Sequence, residues 1–190
     1  MSAWLPLLII VFAVALVVGP VMWMKPSDRD RKLAGLRQRA IRAGMTVKMK
    51  PLPAVLGSGT AAVYFNRWED PRRLDVGWNL ELQRMTHDLH FYDRWDWVGK
   101  PAPKAAWPLI RDLLQRLPED ACGVQSTNGG LGVQWQERSG DRGFEALSQS
   151  LTRLLPEIEE AIRQPAGRSN VGRGDGGLDN GDADDDGGSR

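Results

Sequence analysis

Residues Ala3 to Met24 read AWLPLLIIVFAVALVVGPVMWM, twenty-two positions without a charged side chain. As a helix rising about 1.5 Å per residue, this stretch measures roughly 33 Å, enough for a hydrocarbon core of about 30 Å. Trp4 and Trp23 stand at its two ends, where indole rings favour the headgroup layer. Pro6 falls in the first turn, where its missing N–H costs little, and Gly19-Pro20 is placed to bend the last turn, which a spanning helix tolerates. A cleaved signal peptide would need a positive start, a shorter apolar run and small residues at a cleavage site. Here only the amino terminus is positive ahead of the run, and GPVMWMKP offers no A-x-A pattern. The expectation is an uncleaved transmembrane anchor over residues 1–24.

The flanks set its orientation. No Lys or Arg precedes the run, whereas Lys25, Arg29, Arg31, Lys32, Arg37, Arg39 and Arg42 follow it. The positive-inside rule then places the N-terminus outside and the rest of the chain in the cytoplasm. Trp4, Trp23, Lys25, Arg29, Arg31 and Lys32 become the expected membrane-interface residues, the cations facing anionic lipid. Arg outnumbers Lys nineteen to six, as GC-rich coding favours, so the expected compartment is a bacterial inner membrane. The formal net charge of +1 conceals this polarity: residues 25–50 hold nine Lys/Arg against two Asp, and the last 25 residues hold three Arg against six Asp. A single cysteine, Cys122, excludes an internal disulfide framework and any cysteine-rich metal centre. In a reducing compartment it is an ordinary thiol.

Beyond the anchor the patterns predict an α+β domain. Pro26-Ser27-Asp28 opens a helix that Gly44 closes, with Leu33, Leu36, Ala40 and Ala43 on one weakly apolar stripe. This gives a basic juxtamembrane helix over 25–44. Period-two alternation then predicts strands at 45–50, 60–68 and 74–82, and a further alternating face through Leu89, Phe91, Trp95 and Trp97. A helix follows near 107–117. Residues 121–125 and 131–136 read as a hairpin around Thr127-Asn128-Gly129-Gly130. The last helix, near 141–164, carries Phe144, Leu147, Leu151, Leu154, Ile158 and Ile162 on one face, with Pro156 expected to kink or divide it after Leu155. Five or six strands in an antiparallel sheet, with two amphipathic helices on one face, make a cytoplasmic domain over 45–164. From 165 to 190 Gly and Asp dominate, and such a segment buries too little apolar area to offset its ordering entropy. It reads as a disordered acidic tail.

Few residues suggest chemistry. His87, Asp88, His90 and Asp93 crowd one stretch, but on a strand His87 and His90 point to opposite faces, and no second cluster adds ligands. They are the alternative ligand or metal candidates, and no metal or cofactor is expected. Asp182, Asp184, Asp186 and Gly187 match the start of a calcium loop whose twelfth position would fall beyond Arg190. Arg173-Gly174-Asp175 acts as an adhesion tripeptide only on an extracellular surface. Phosphate-loop, nucleophile-elbow, zinc-helix and dinucleotide signatures are missing from the sequence. Residues 51–165 carry 13 basic and 16 acidic groups, which disfavours nucleic acid. Six tryptophans follow the anchor. Most belong in a core, while Trp95 and Trp97, sharing one face, could form part of a partner surface together with Arg37, Arg39 and Arg42.

The anchor followed by KPSDRDRKLAGLRQRAIRAGMTVKM resembles the YajC-type accessory subunit of the bacterial preprotein translocase. Pro26, Arg29, Arg31, Lys32, Leu36, Gly44 and Val47 carry the resemblance, which spans residues 4–50. Met45 stands where that family has an acidic residue, and Lys50-Pro51-Leu52-Pro53 replaces its Gly-Gly turn. The resemblance implies a non-catalytic partner of the Sec membrane complex. Together these readings predict a non-enzymatic, single-pass membrane protein with a cytoplasmic protein-interaction domain.

Overall fold

The computed structural model describes residues 4–23, 27–84 and 91–164, and within the first helix the side chains of 4–16 and 18. That helix, α1 (Trp4–Trp23), is followed by α2 (Asp28–Arg42). The strands β1 (Thr46–Pro51), β2 (Thr60–Asn66), β3 (Asn79–Leu82) and β4 (Trp95–Trp97) come next. Then follow α3 (Trp107–Arg116), β5 (Ala121–Thr127), β6 (Gly130–Trp135) and α4 (Gly140–Ala161). Among the described residues, no helix is long and apolar enough to cross a membrane. Lys25, His87, Asp88, His90 and the whole of 165–190 lie outside the described residues. With them go the tail, the calcium-like run and the Arg173-Gly174-Asp175 tripeptide.

Six strands form one antiparallel sheet in the order β1-β2-β6-β5-β3-β4. The β5–β6 hairpin turns through Asn128-Gly129, with Thr127 paired to Gly130. Two residues between paired strand ends make a tight hairpin turn, and the positive φ falls just after them, on Gly130 at +150°. Tyr64, Leu80, Val124, Leu131, Val133 and Trp135 point to one face and join Ile110, Leu113, Leu147, Leu151 and Ile158 of α3 and α4 in a single core. The opposite face presents Lys48, Lys50, Gln125 and Gln134 at the alternate positions. Lys50 Nζ donates to Gln125 Oε1 at 3.0 Å and Gln134 Nε2 to the Pro51 carbonyl at 2.7 Å. These long side chains shield Ala61 and Val63 beneath them, both buried outside the helix-side core.

Two local expectations need correction. The alternation predicted through 74–82 holds in burial only around Trp78 and Leu80, which are fully buried between the less buried Gly77, Asn79 and Glu81, and only 79–82 joins the ladder. Leu74 instead forms an isolated bridge with Arg163 beyond α4, and Asp75 N donates to the Ile162 carbonyl at 2.9 Å. Of the kink or division expected at Pro156, the division does not occur: helix α4 runs through it from Gly140 to Ala161. Pro156 and Thr152, whose carbonyl loses its helical donor, are both exposed, so water can serve that carbonyl. Leu154 and Ile158 therefore continue one buried stripe across the proline.

Helix α2 begins with a complete capping box. Ser27 Oγ accepts from Asp30 N at 3.1 Å, and Asp30 Oδ2 accepts from Ser27 N at 3.1 Å. The Asp30 carboxyl is thereby held below its usual range, chiefly by the Ser27 side chain. Leu36 and Ala40 are buried in the same core as α3 and α4. The basic helix is thus packed onto the domain and forms one of its walls.

Candidate functional site

The described residues place the strongest concentration of charge where α2 meets the connection from β6 to α4. That connection is built around Asp120. One carboxylate oxygen accepts from Arg138 N at 2.5 Å and Ser139 N at 3.1 Å, while the other accepts from Ser139 Oγ at 2.5 Å. Partial burial would raise the Asp120 pKa, but these hydrogen bonds, led by the Ser139 side chain, prevail and lower it. Trp135 Nε1 donates to Ser139 Oγ at 3.2 Å. A Cβ at Gly143 would meet that oxygen at 2.0 Å and the Trp135 ring at 2.6 Å, so the helix start needs glycine there.

The tight connection puts Glu137 at φ +60°, a left-handed conformation that costs a side chain about 1–2 kcal/mol. It also aims the carboxylate inward. Glu137 Oε1 accepts from Arg37 Nε at 2.8 Å and from Tyr64 OH at 2.6 Å, and Oε2 accepts from Arg37 Nη2 at 2.5 Å. The Glu137 side chain is 4% exposed and that of Arg37 32%. Burial, then the bond to Glu137, pushes the Tyr64 phenol far up. The Glu137 hydrogen bond raises the Arg37 pKa in turn. Arg37 and Glu137 thus form a bidentate ion pair with the Tyr64 phenol, held neutral, as a third donor.

Above this pair lies an open cavity of about 440 Å³, lined by Arg29, Lys32, Leu33, Leu36, Glu137 and Arg138. A second groove of about 600 Å³ shares Lys32 and Leu36 with it and continues past Gly35 and Arg39. Arg39 pairs with Asp141 and lies over the Phe144 ring, 5.4 Å from its centroid. Among the described residues, Arg29, Lys32 and the Arg138 guanidinium make no ion pair. Since Arg37 cancels the Glu137 charge, the cavity is net positive.

The sequence candidates fall in different places. Arg29, Lys32, Arg37 and Arg39 converge here, although Arg37 and Arg39 are engaged within the protein. Arg31 pairs with Asp28 at 3.7 Å on the outer face, and Arg42 is exposed at the C-terminal end of α2. Trp4 opens α1, exposed, and Trp23 closes it. Trp95 is buried, and Trp97 is half-buried between Trp78, Phe91 and Trp107 with centroid distances of 5.9, 4.7 and 6.3 Å. These two indoles pack inward at the sheet corner and leave little aromatic surface for a partner. Of His87, Asp88, His90 and Asp93, only Asp93 is among the described residues, and it is exposed. Among the described residues no group of three His, Cys, Asp or Glu could hold a metal ion. Cys122 is buried, its thiol pushed up to about 12 chiefly by desolvation.

Glu137, Tyr64, Arg138 and Asp120 were not predicted from sequence. Arg37 and Glu137 stand 100 positions apart, and neither belongs to a recognisable motif. The only local signal was a lone acidic residue between the alternating strand and Ser139-Gly140. No family model, curated protein or solved structure matches the chain.

Proposed function

We propose that this chain is a single-pass membrane-anchored protein whose α+β domain works at the cytoplasmic face as a protein-interaction module. One observation supports this reading above the others. The described large apolar side chains of α1, Trp4 to Leu16 and Val18, are 46–65% exposed on every side, and among the described residues none enters the domain core. A helix that is apolar all round belongs inside a large protein or a bilayer. By the described residues alone no helix is long and apolar enough to cross a membrane, but the helix backbone continues to Trp23, making 20 residues, about 30 Å at 1.5 Å per residue. Four residues separate Trp23 from Asp28, so the domain is tied within about 18 Å of the end of α1. The basic first turns of α2 would then sit beside anionic headgroups, and the N-terminus would lie outside, as the positive flank directs.

Two experiments test this. Membranes carrying the full-length chain are washed at alkaline pH, and C-terminal fusions to green fluorescent protein and alkaline phosphatase report the side. Retention in the pellet, with fluorescence and no phosphatase activity, is expected. Release by alkali would defeat the anchor, and an active phosphatase would reverse the topology. The partner is tested by photocrosslinking from position 42 at the exposed end of α2. The resemblance in residues 4–50 leads us to expect adducts with Sec translocon subunits; adducts with another membrane complex would keep the module and replace its partner.

A further inference from the structure

We infer that the groove between α2 and the β6–α4 connection binds the phosphate-bearing head group of an anionic lipid. The inference rests on the anchored reading above and extends it from a charged surface to a defined site. Three cations from two separated segments, Arg29 and Lys32 of α2 and Arg138 of the connection, line one cavity of about 440 Å³. None is spent on an ion pair among the described residues. The single carboxylate in the wall, Glu137, is already matched by Arg37 Nε and Nη2 at 2.8 and 2.5 Å, so an entering anion meets three positive charges and no free negative one. Their arrangement is fixed from below: Asp120 holds the Arg138 backbone at 2.5 Å, and Leu36 and Ala40 dock α2 in the core.

A free inorganic anion would need only the cations. This cavity adds an apolar side, Leu33 and Leu36, and opens into the groove of about 600 Å³ past Gly35. A Cβ at Gly35 would touch nothing within 4 Å, so the groove floor is open. The groove is also lined by Arg39 and Asp141, which pair with each other, so the cationic mouth, the apolar side at Leu33 and Leu36 and the groove behind them together fit a phosphodiester head group with the start of its acyl chains. Chain length supplies the other argument, because Arg29 follows Trp23 by six positions. That spacing keeps the cavity mouth within about 20 Å of the end of α1, where head groups are the most concentrated anions.

The test uses the full-length protein in a non-ionic detergent, titrated by calorimetry with dioctanoyl phosphatidylglycerol, dioctanoyl phosphatidylcholine and inorganic phosphate. Saturable binding of phosphatidylglycerol, at least about tenfold tighter than either comparator, is expected. Lys32→Gln and Arg138→Gln should each weaken it about fivefold, the worth of one cation beside an anionic lipid. Gly35→Trp blocks the groove without altering charge and should abolish saturation, while a thermal melt confirms that each variant folds. Equal affinity for phosphatidylcholine would overturn the site. So would inorganic phosphate binding as tightly as the lipid, or Lys32→Gln and Arg138→Gln binding like the parent. The alkaline wash separates the two proposals: a chain that resists alkali but shows no head-group preference loses the site and keeps the anchor. Selective binding by a chain that alkali releases would do the reverse.

Discussion

Helices α1 and α2 are neighbours in the chain and opposites in design. Along α1 the described large apolar side chains stand out on all sides and nothing in the domain receives them. Along α2 only Leu36 and Ala40 are buried, and nearly every other position is exposed. The second helix is defined by what holds it: a capping box at one end, two apolar contacts, and the Arg37–Glu137–Tyr64 cluster. The first is defined by a side-chain set that suits hydrocarbon better than water. The difference teaches that helicity and apolarity do not by themselves make a helix part of a fold. What decides is whether complementary surface exists elsewhere in the chain.

The largest expected effect comes from cutting the contact that makes α2 part of the domain. Arg37→Ala leaves the Glu137 carboxylate, 4% exposed, with Tyr64 as its one remaining partner. An uncompensated buried charge costs about 3–5 kcal/mol, so the melting temperature of the domain should fall by roughly 10 °C or more. The double variant Arg37→Met with Glu137→Met removes both charges and should recover most of that loss. Should the double variant melt as low as Arg37→Ala, the pair would be acting through packing and not through charge. The exposed counterpart supplies the contrast. Arg39 and Asp141 have side chains 47% and 72% exposed, and Arg39→Ala should cost well under about 1 kcal/mol.

Much of the fold was legible because its signals are local. The capping residues of α2 and the Asn128-Gly129 turn each lie within a few residues of chain, the stripe of α4 repeats from one turn to the next, and each forms in the expected place. The sheet order was not legible, because pairing β2 with β6 joins segments some seventy residues apart and no periodicity encodes a partner. The sequence alternation at 74–78 was read as a strand because a period of two does not distinguish a ladder strand from an extended segment that makes a single bridge, here Leu74 to Arg163 after α4. The candidate site was half legible. Its cations on α2 stand out as a basic run, whereas Glu137 and Asp120 reach them only through the tertiary fold.

A smaller effect follows from the connection that presents Arg138 and Glu137. Its organiser, Asp120, has a lowered pKa in the folded protein. The sign is that of a depressed carboxylate: its contribution is fully present above the ordinary aspartate value, about 3.9, and fades as pH falls through the lower folded value. Stability measured by chemical denaturation should therefore decline below about pH 4, and Asp120→Asn should flatten part of that decline. A variant whose acid profile overlays that of the parent would show that Asp120 does not couple the connection to pH. At the other end of α2, Ser27→Ala removes the acceptor for Asp30 N and should cost about 1 kcal/mol. The cost is modest because the first turn is exposed and the core contacts begin two turns later.

The smallest expected effect sharpens the comparison most. Deleting residues 1–24 removes every apolar side chain of α1, which in a helix of a water-soluble fold would cost many times about 2 kcal/mol. Because no described α1 residue belongs to the core, the shortened chain should melt within a degree or two of the full-length protein, while no longer sedimenting with membranes. The prediction is exacting in both directions. A shortened domain that melts far lower would mean that α1 packs on the domain after all, and its exposed side chains would then be one half of an intramolecular interface. An unchanged melt with retained membrane association would instead shift the work of attachment from α1 to the basic wall of α2 and the groove behind it.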